Sequence, residues 1–120
     1  MAQTDSSIVA TEFADAGSIL KVNSHKLHEH ESSLLIEEVR AYLDQSQRNL
    51  IILDVESVEF MSSAGLGAMV TLNTELAKRG GRLVIIGLSS DAMQVVKLTH
   101  LDKLIPIEKN IAKAQKRLLK

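Results

Sequence analysis

Two short, continuous apolar runs constrain the fold of this chain more than any other feature. They occupy residues 50–55 and 82–87, and both lack the alternation of apolar and polar side chains that a half-exposed strand shows. Such runs are typical of strands that are buried on both faces of a largely parallel sheet. The residues between the two runs repeat their apolar side chains at helical spacing. The sequence therefore predicts a strand, helix, strand unit and an α/β fold.

The segment before the first apolar run predicts a hairpin and a helix. Residues 7–13 and 18–22 are short strand-like runs, and residues 14–17 between them include an Asp and a Gly. These two residue types suit a tight turn between antiparallel strands. Beyond His28 the apolar residues recur at helical spacing, with charged residues left for the solvent side. This pattern predicts an amphipathic helix.

The segment after the second run predicts a short helix, a last strand and a C-terminal helix. Ser89 suits the N-cap of the short helix. Residues 104–107 are mostly apolar and predict the strand, which Pro106 places at an edge because proline cannot donate a backbone hydrogen bond. From Ile111 onward, apolar residues again recur at helical spacing, with basic residues near the end of the chain.

Length and composition predict one ordered domain that spans residues 1–120, with residues 1–6 as a flexible N-terminus. A chain of 120 residues can bury one core but has little apolar surface left for a second. Its 45% hydrophobic and 24% charged residues are the ordinary balance of a globular protein.

Composition also argues against several classes of function. The chain has two Phe, one Tyr and a net charge of -1, so it lacks the aromatic and basic surface that binds nucleic acid. It has no cysteine, which excludes disulfides and thiolate metal sites. The polar start lacks the features of a signal peptide, and no apolar run approaches the length that spans a bilayer. We therefore expect a soluble, cytoplasmic protein that is not inserted in a membrane.

Two adjacent serines, Ser62 and Ser63, stand where the strand, helix, strand unit passes into its helix. This turn lies where ligands and partners usually meet open α/β sheets. If Ser62 is the N-cap, its hydroxyl satisfies a free backbone N–H and Ser63 falls in the first helical turn, with its hydroxyl outward. The free N–H groups and the helix dipole there favour an anion. A phosphate on Ser63 would be electrostatically accommodated.

On the residues alone, a simple helix cap is the favoured interpretation of the two serines, with small residues following so that helix and strand pack closely. Glycine spacing and the absence of a lysine exclude a phosphate-binding P-loop, and Gly65 with Gly67 is only a fragment of a dinucleotide fingerprint. We therefore expect no cofactor. His25, His28 and His30 do not follow the helical zinc motif, so we expect no metal and interpret this segment as a solvated loop.

Three segments together resemble the core of a STAS domain, and the resemblance covers most of the chain. It rests on the run from Leu50 to Val55, the run from Gly81 to Ile85, and the segment between them, which reads Phe60-Met61-Ser62-Ser63-Ala64-Gly65-Leu66. The resemblance implies a single domain with a mixed sheet and with helices packed mainly on one side. Within the family, the segment around the two serines is similar to that of bacterial anti-sigma factor antagonists.

The resemblance implies a binding switch rather than an enzyme. In the antagonists the serine equivalent to Ser63 accepts phosphate from a partner kinase, an anti-sigma factor of the histidine-kinase-like ATPase type, and a serine phosphatase removes it. We expect the unmodified form to bind this partner through residues that include Met61, Ser62, Ala64, Gly65 and His28. The alternative is an accessory STAS subunit of a transporter or a signalling scaffold, in which the serine is not phosphorylated.

Two departures from the antagonist pattern bear on the kinase. Ser62 stands where antagonists commonly have Asp, and Ala64 where they have Ser or Thr. Ser62 can still cap the helix. Antagonists typically carry a Leu-Asp segment that contacts the kinase. At residues 23–31 this chain has a histidine-rich segment instead. The downstream process and the identity of the kinase are therefore open at the level of sequence.

Overall fold

The computed structural model describes residues 8–14 and 16–119, and these form one α/β unit. The predicted flexible N-terminus, residues 1–6, lies outside the described residues. The elements in chain order are β1 (Val9–Phe13), β2 (Ser18–Val22), β3 (Lys26–Leu27), α1 (Glu29–Ser46), β4 (Leu50–Asp54), β5 (Phe60–Met61), α2 (Ser63–Lys78), β6 (Arg82–Ile86), α3 (Ser90–Leu98), a single 3-10 turn (Leu101–Lys103), β7 (Ile107–Glu108) and α4 (Ile111–Leu118).

The main sheet has five strands in the order β1, β2, β4, β6, β7. Strands β1 and β2 are antiparallel and form the predicted hairpin, whereas β2, β4, β6 and β7 run parallel to one another. In the central pair, Ile52 lies beside Val84 and Leu53 beside Ile85. The predicted α/β fold with a mixed sheet is confirmed, including the parallel strand, helix, strand unit made by β4, α2 and β6.

The two central strands are buried on both faces, which explains their continuous apolar sequences. Ile51 and Leu53 of β4 face the large core beneath α1 and α2. Ile52, between them, faces a smaller core that is closed by Ala114 and Leu118 of α4. The two long helices therefore cover one side of the sheet, and the short C-terminal helix covers the other. The prediction of helices mainly on one side is confirmed, with α4 as the exception.

A cluster of charged side chains links α1 to α2 outside the core. Arg79 donates to Glu75 at 3.0 Å and pairs with Asp44 at 2.8 Å, and Arg40 lies 3.5 Å from Glu75. The hydrogen bond from Arg79 holds the pKa of Glu75 below its ordinary value. Each side chain of the cluster keeps 20% or more of its surface in solvent. Such pairs contribute less free energy than the buried apolar residues that pack the two helices together.

The last strand lies further along the chain than the sequence predicts. Residues 104–107 were expected to form it, but the observed strand is Ile107–Glu108. Leu104 and Ile105 instead close the 3-10 turn through hydrogen bonds to Leu101, and Pro106 joins the sheet only by accepting a hydrogen bond from Ile85. The strand does lie at the edge of the sheet, as predicted.

The helices have the capped ends that the sequence predicted. Ser89 caps α3 by accepting a hydrogen bond from the N–H of Ala92, and Gly80, just beyond α2, adopts a φ of 74°. Among residues 8–14 and 16–119, each helix lacks either the length or the apolar character needed to cross a bilayer.

We predict that Ile52→Ala lowers the free energy of unfolding by about 2–5 kcal/mol, because it opens a cavity between the sheet and α4. Ile52 is fully buried, whereas Leu98 is 80% exposed. The matched variant Leu98→Ala should therefore change the stability by less than about 1 kcal/mol. Denaturant melts of both variants measure the difference. An Ile52 variant as stable as the Leu98 variant would show that β4 is not buried on this side.

Candidate functional site

The start of α2 has the geometry that the sequence predicted. Ser62 is the N-cap, and its hydroxyl accepts a hydrogen bond from the N–H of Ala64 at 3.2 Å while donating to the carbonyl of Leu27 at 3.4 Å. Ser63 is the first residue of the helix and is exposed. Within the described part of the chain its hydroxyl makes no hydrogen bond. The two serines therefore differ: one hydroxyl is occupied and the other is available to solvent.

A second, two-stranded sheet holds this helix start, and the sequence did not predict it. Strand β3 pairs in parallel with β5, with Lys26 beside Phe60 and Leu27 beside Met61. The interpretation of the histidine-rich segment as a loop was therefore wrong, although His25, His28 and His30 are exposed to solvent as predicted. Leu27 is completely buried in the main core, and its packing there holds β3 against the rest of the protein. In the sequence, β3 is indicated only by Leu27, an isolated apolar residue within a polar segment.

The strand that leads into the helix start is also different from the one expected. The sequence placed the serines after a buried strand, but β4 ends at Asp54 and the exposed strand β5 intervenes. The connecting turn is held by Asp54, whose carboxylate accepts a hydrogen bond from the N–H of Glu56 at 2.9 Å. Backbone bonds from Glu59 and Phe60 to the carbonyl of His25 then direct the chain alongside β3.

Gly65 lets α2 approach β3 closely. A Cβ atom at this position would lie 2.7 Å from the carbonyl oxygen of Leu27 and 2.6 Å from Cγ of Met61. Both distances are shorter than van der Waals contact allows, so a side chain would push the first turn of the helix away from β3. Gly65 is buried, and its observed role is to seat the helix start. Ala64 beside it is half-buried.

His28 lies directly before α1 and is exposed. Its backbone N–H donates to the carboxylate of Glu31 at 3.0 Å, which helps to cap the helix. Partial burial by itself raises the pKa of Glu31, but this hydrogen bond and the charge of Lys26 outweigh it, so the pKa lies below its ordinary value. Within residues 8–14 and 16–119, no three His, Asp or Glu side chains come together as a metal site.

A groove of about 340 Å³ runs beside the helix start and brings together two of the predicted partner-binding residues, His28 and Met61. The groove lies between the end of β5 and the beginning of α3. Its remaining lining residues were not predicted from the sequence: Glu59, Phe60, Leu66, Ser89, Asp91, Ala92 and Val95. The last four belong to α3 and its N-cap, which lie far from the serines along the chain. Ser62, Ser63, Ala64 and Gly65 adjoin the groove in sequence but do not line it.

Comparison with known proteins gives one consistent family. The family model described as STAS domain matches residues 8–114. An anti-sigma F factor antagonist of Paenibacillus polymyxa is 23% identical over 87 residues, which cover 72% of this chain and 74% of that protein.

Solved structures agree with this match. The crystal structure of an anti-sigma factor antagonist from Mycobacterium paratuberculosis has a TM-score of 0.80 and 22% identity, with full coverage of both chains. The Bacillus cell fate determinant SpoIIAA in its phosphorylated form has a TM-score of 0.66 and 19% identity, over 91% of this chain and 97% of that chain. At these identities the structural likeness shows a common fold.

We predict that Gly65→Ala destabilises the protein by about 1–3 kcal/mol, because the new Cβ would overlap the backbone of β3. Gly67, two residues further along the same helix, has open space where its Cβ would lie, apart from its chain neighbours and the backbone of its own helix. Gly67→Ala should therefore be neutral or stabilise by up to about 1 kcal/mol, because alanine favours the helix. Thermal or denaturant unfolding distinguishes the two. Equal effects would mean that the close approach to Leu27 does not exist.

Proposed function

Because the chain belongs to the STAS domain family, we propose that it is an anti-sigma factor antagonist-like switch that phosphorylation of Ser63 controls. The unmodified protein binds a regulatory partner in the cytoplasm, and the phosphorylated protein binds it more weakly. The observation that carries this proposal is the exposed Ser63 hydroxyl at the first residue of α2, beside a Ser62 hydroxyl that is already engaged in hydrogen bonds.

The difference between the two serines supports Ser63 as the phosphoacceptor. Modification of Ser62 would remove the O–H group that donates to the carbonyl of Leu27 and would place a phosphoryl group against that carbonyl oxygen of β3. Modification of Ser63 breaks no hydrogen bond within the described residues. The phosphoryl group would lie in the first turn of a sixteen-residue helix, where unpaired N–H groups and the helix dipole favour negative charge.

The partner would supply the catalysis. Within the described part of the chain, Ser63 has no hydrogen-bonded base that could take its proton. A kinase of the histidine-kinase-like ATPase type would transfer the γ-phosphoryl group of ATP to the Ser63 oxygen, with ADP leaving and the hydroxyl proton passing to a kinase base. A serine phosphatase would return the hydroxyl by hydrolysis. The chain itself is a substrate and a binding partner in this scheme.

The proposed partner surface surrounds the helix start. His28 and Met61 lie on the adjacent groove, and Ser62 and Ala64 flank the phosphoacceptor. Gly65 is buried, so its contribution is to hold the helix start against β3 rather than to offer a side chain. A phosphoryl group adds roughly -1.5 to -2 charge at the centre of this surface. Each 1.4 kcal/mol lost at such a contact weakens binding about tenfold.

The likeness to known antagonists supports the proposal from a second direction. The related protein from Paenibacillus polymyxa is an anti-sigma F factor antagonist, and the Bacillus structure holds its protein in a phosphorylated form. The alternative, an accessory subunit whose serine is not phosphorylated, makes the opposite prediction for Ser63.

We predict that Ser63 is the phosphoacceptor. Incubation with ATP and the cognate kinase of the histidine-kinase-like ATPase type, followed by phosphopeptide mapping, should place the phosphate on Ser63. Ser63→Ala should abolish labelling, whereas the matched variant Ser62→Ala should retain it, although its helix loses a cap and the protein about 1 kcal/mol of stability. Full labelling of the Ser63 variant, or a phosphate on Ser62, would contradict the assignment.

We further predict that phosphorylation weakens partner binding by a local change of charge. Amide chemical shifts of the modified and unmodified proteins should differ mainly over residues 61–67, because the helix terminus already accommodates an anion. Calorimetry with the partner should show weaker binding after modification. Ser63→Asp should reproduce only part of the loss, since a carboxylate carries less charge than a phosphoryl group. Equal affinity of both forms would favour the accessory-subunit alternative.

A further inference from the structure

The groove beside the helix start combines apolar side chains with two carboxylates. Phe60, Met61, Leu66, Ala92 and Val95 provide the apolar part of its lining. Its charged side chains are the carboxylates of Glu59 and Asp91, both exposed, and no Lys or Arg among the described residues lines it. His28 and Ser89 complete the lining. The groove is therefore complementary to a group that is apolar and carries positive charge at its edges.

Large apolar side chains at this groove are left in water. Phe60 is 58% exposed and Val95 is 42% exposed. Leu98, 80% exposed, lies one helical turn beyond Val95 on α3 and extends the apolar surface. The other exposed phenylalanine, Phe13, is partly covered, because the guanidinium of Arg48 lies 4.7 Å from the centre of its ring. Adjacent exposed apolar side chains at a groove are typical of an interaction site.

We propose that this groove receives a segment of the protein partner in which an apolar side chain is flanked by Lys or Arg. The apolar side chain lies between Phe60 and Val95, and the cations face Glu59 and Asp91. This inference rests on the proposed function, because it assigns the groove to the partner that reads Ser63. Met61 and Leu66 line the groove and bracket Ser63 in the chain, so a segment bound there brings its protein to the helix start.

The negative charges of the groove indicate that the groove and Ser63 act on the partner in different ways. A phosphoryl group on Ser63 adds negative charge to a region that already carries the carboxylates of Glu59 and Asp91, which by itself favours a basic segment. The loss of binding on phosphorylation must therefore come from contacts that the partner makes outside this groove, at the helix start. In this proposal the groove binds the partner in both states, whereas the state of Ser63 controls the contact at the helix start.

Nuclear magnetic resonance titration with short synthetic peptides tests the groove without any kinase. A peptide of alternating Lys and Leu should give saturable shift changes at Phe60, Met61 and Val95. Peptides of alternating Glu and Leu, or of alternating Lys and Ser, should not, because one lacks the cations and the other the apolar side chains. Equal binding of the Glu and Leu peptide, or shift changes centred on α4, would overturn the proposal.

Charge-reversal variants provide the matched control. Glu59→Lys combined with Asp91→Lys should lower the affinity for the peptide of alternating Lys and Leu roughly tenfold or more. Glu12→Lys combined with Glu37→Lys changes the net charge equally at exposed positions that do not line the groove, and should leave the affinity unchanged. Ser63→Asp should not weaken the peptide. Equal losses in both double variants would show general attraction to an acidic protein and would overturn the groove.

A further variant and a dilution series complete the test. Val95→Ser, on the exposed surface of α3, should weaken the peptide several-fold while leaving the fold intact. Shifts at Phe60 and Val95 that change with protein concentration alone would show a second copy in the groove and would overturn the partner assignment. Failure of the peptide with normal Ser63 labelling rejects only the groove, whereas failed labelling with normal peptide binding rejects only the switch.

Discussion

The burial of β4 and β6 on both faces determines where every other element of this protein can lie. Side chains alternate along each strand, so Ile51 and Leu53 need a cover on one side and Ile52 needs a cover on the other. The two long helices provide the first cover and α4 the second. Because the strands are parallel, each returning connection must cross a face of the sheet, and the turns at the carboxyl ends remain on the surface.

The helix start is built so that its structural role and its proposed regulatory role fall on different residues. Ser62 caps the helix and ties it to β3, and Gly65 allows the backbone of β3 to approach. Ser63, between them, makes no side-chain hydrogen bond within the described residues, and it is exposed to solvent at the first position of the helix. The helix-cap interpretation and the proposed phosphoacceptor are therefore compatible, because the cap is Ser62 and the proposal concerns Ser63.

Sequence periodicity predicted the elements whose side chains repeat, and it failed where the fold depends on pairing between distant segments. The runs at β4 and β6 and the face of α2 have strong local patterns, and the cap at Ser62 has a residue type that favours it. Strand β3 has only two residues, with a single buried side chain at Leu27, and its partner β5 follows far along the chain. No local pattern encodes such a pair.

The groove could not be predicted from local sequence patterns either, because its walls come from distant segments of the chain. Glu59 and Phe60 follow β4, whereas Asp91 and Val95 belong to α3, and only the packed structure makes them neighbours. The β3 and β5 pair fixes one wall of the groove and the helix start together. A partner that contacts both would gain affinity from the groove and phosphate sensitivity from Ser63, so the strength of binding and its regulation could change independently through substitutions at different residues.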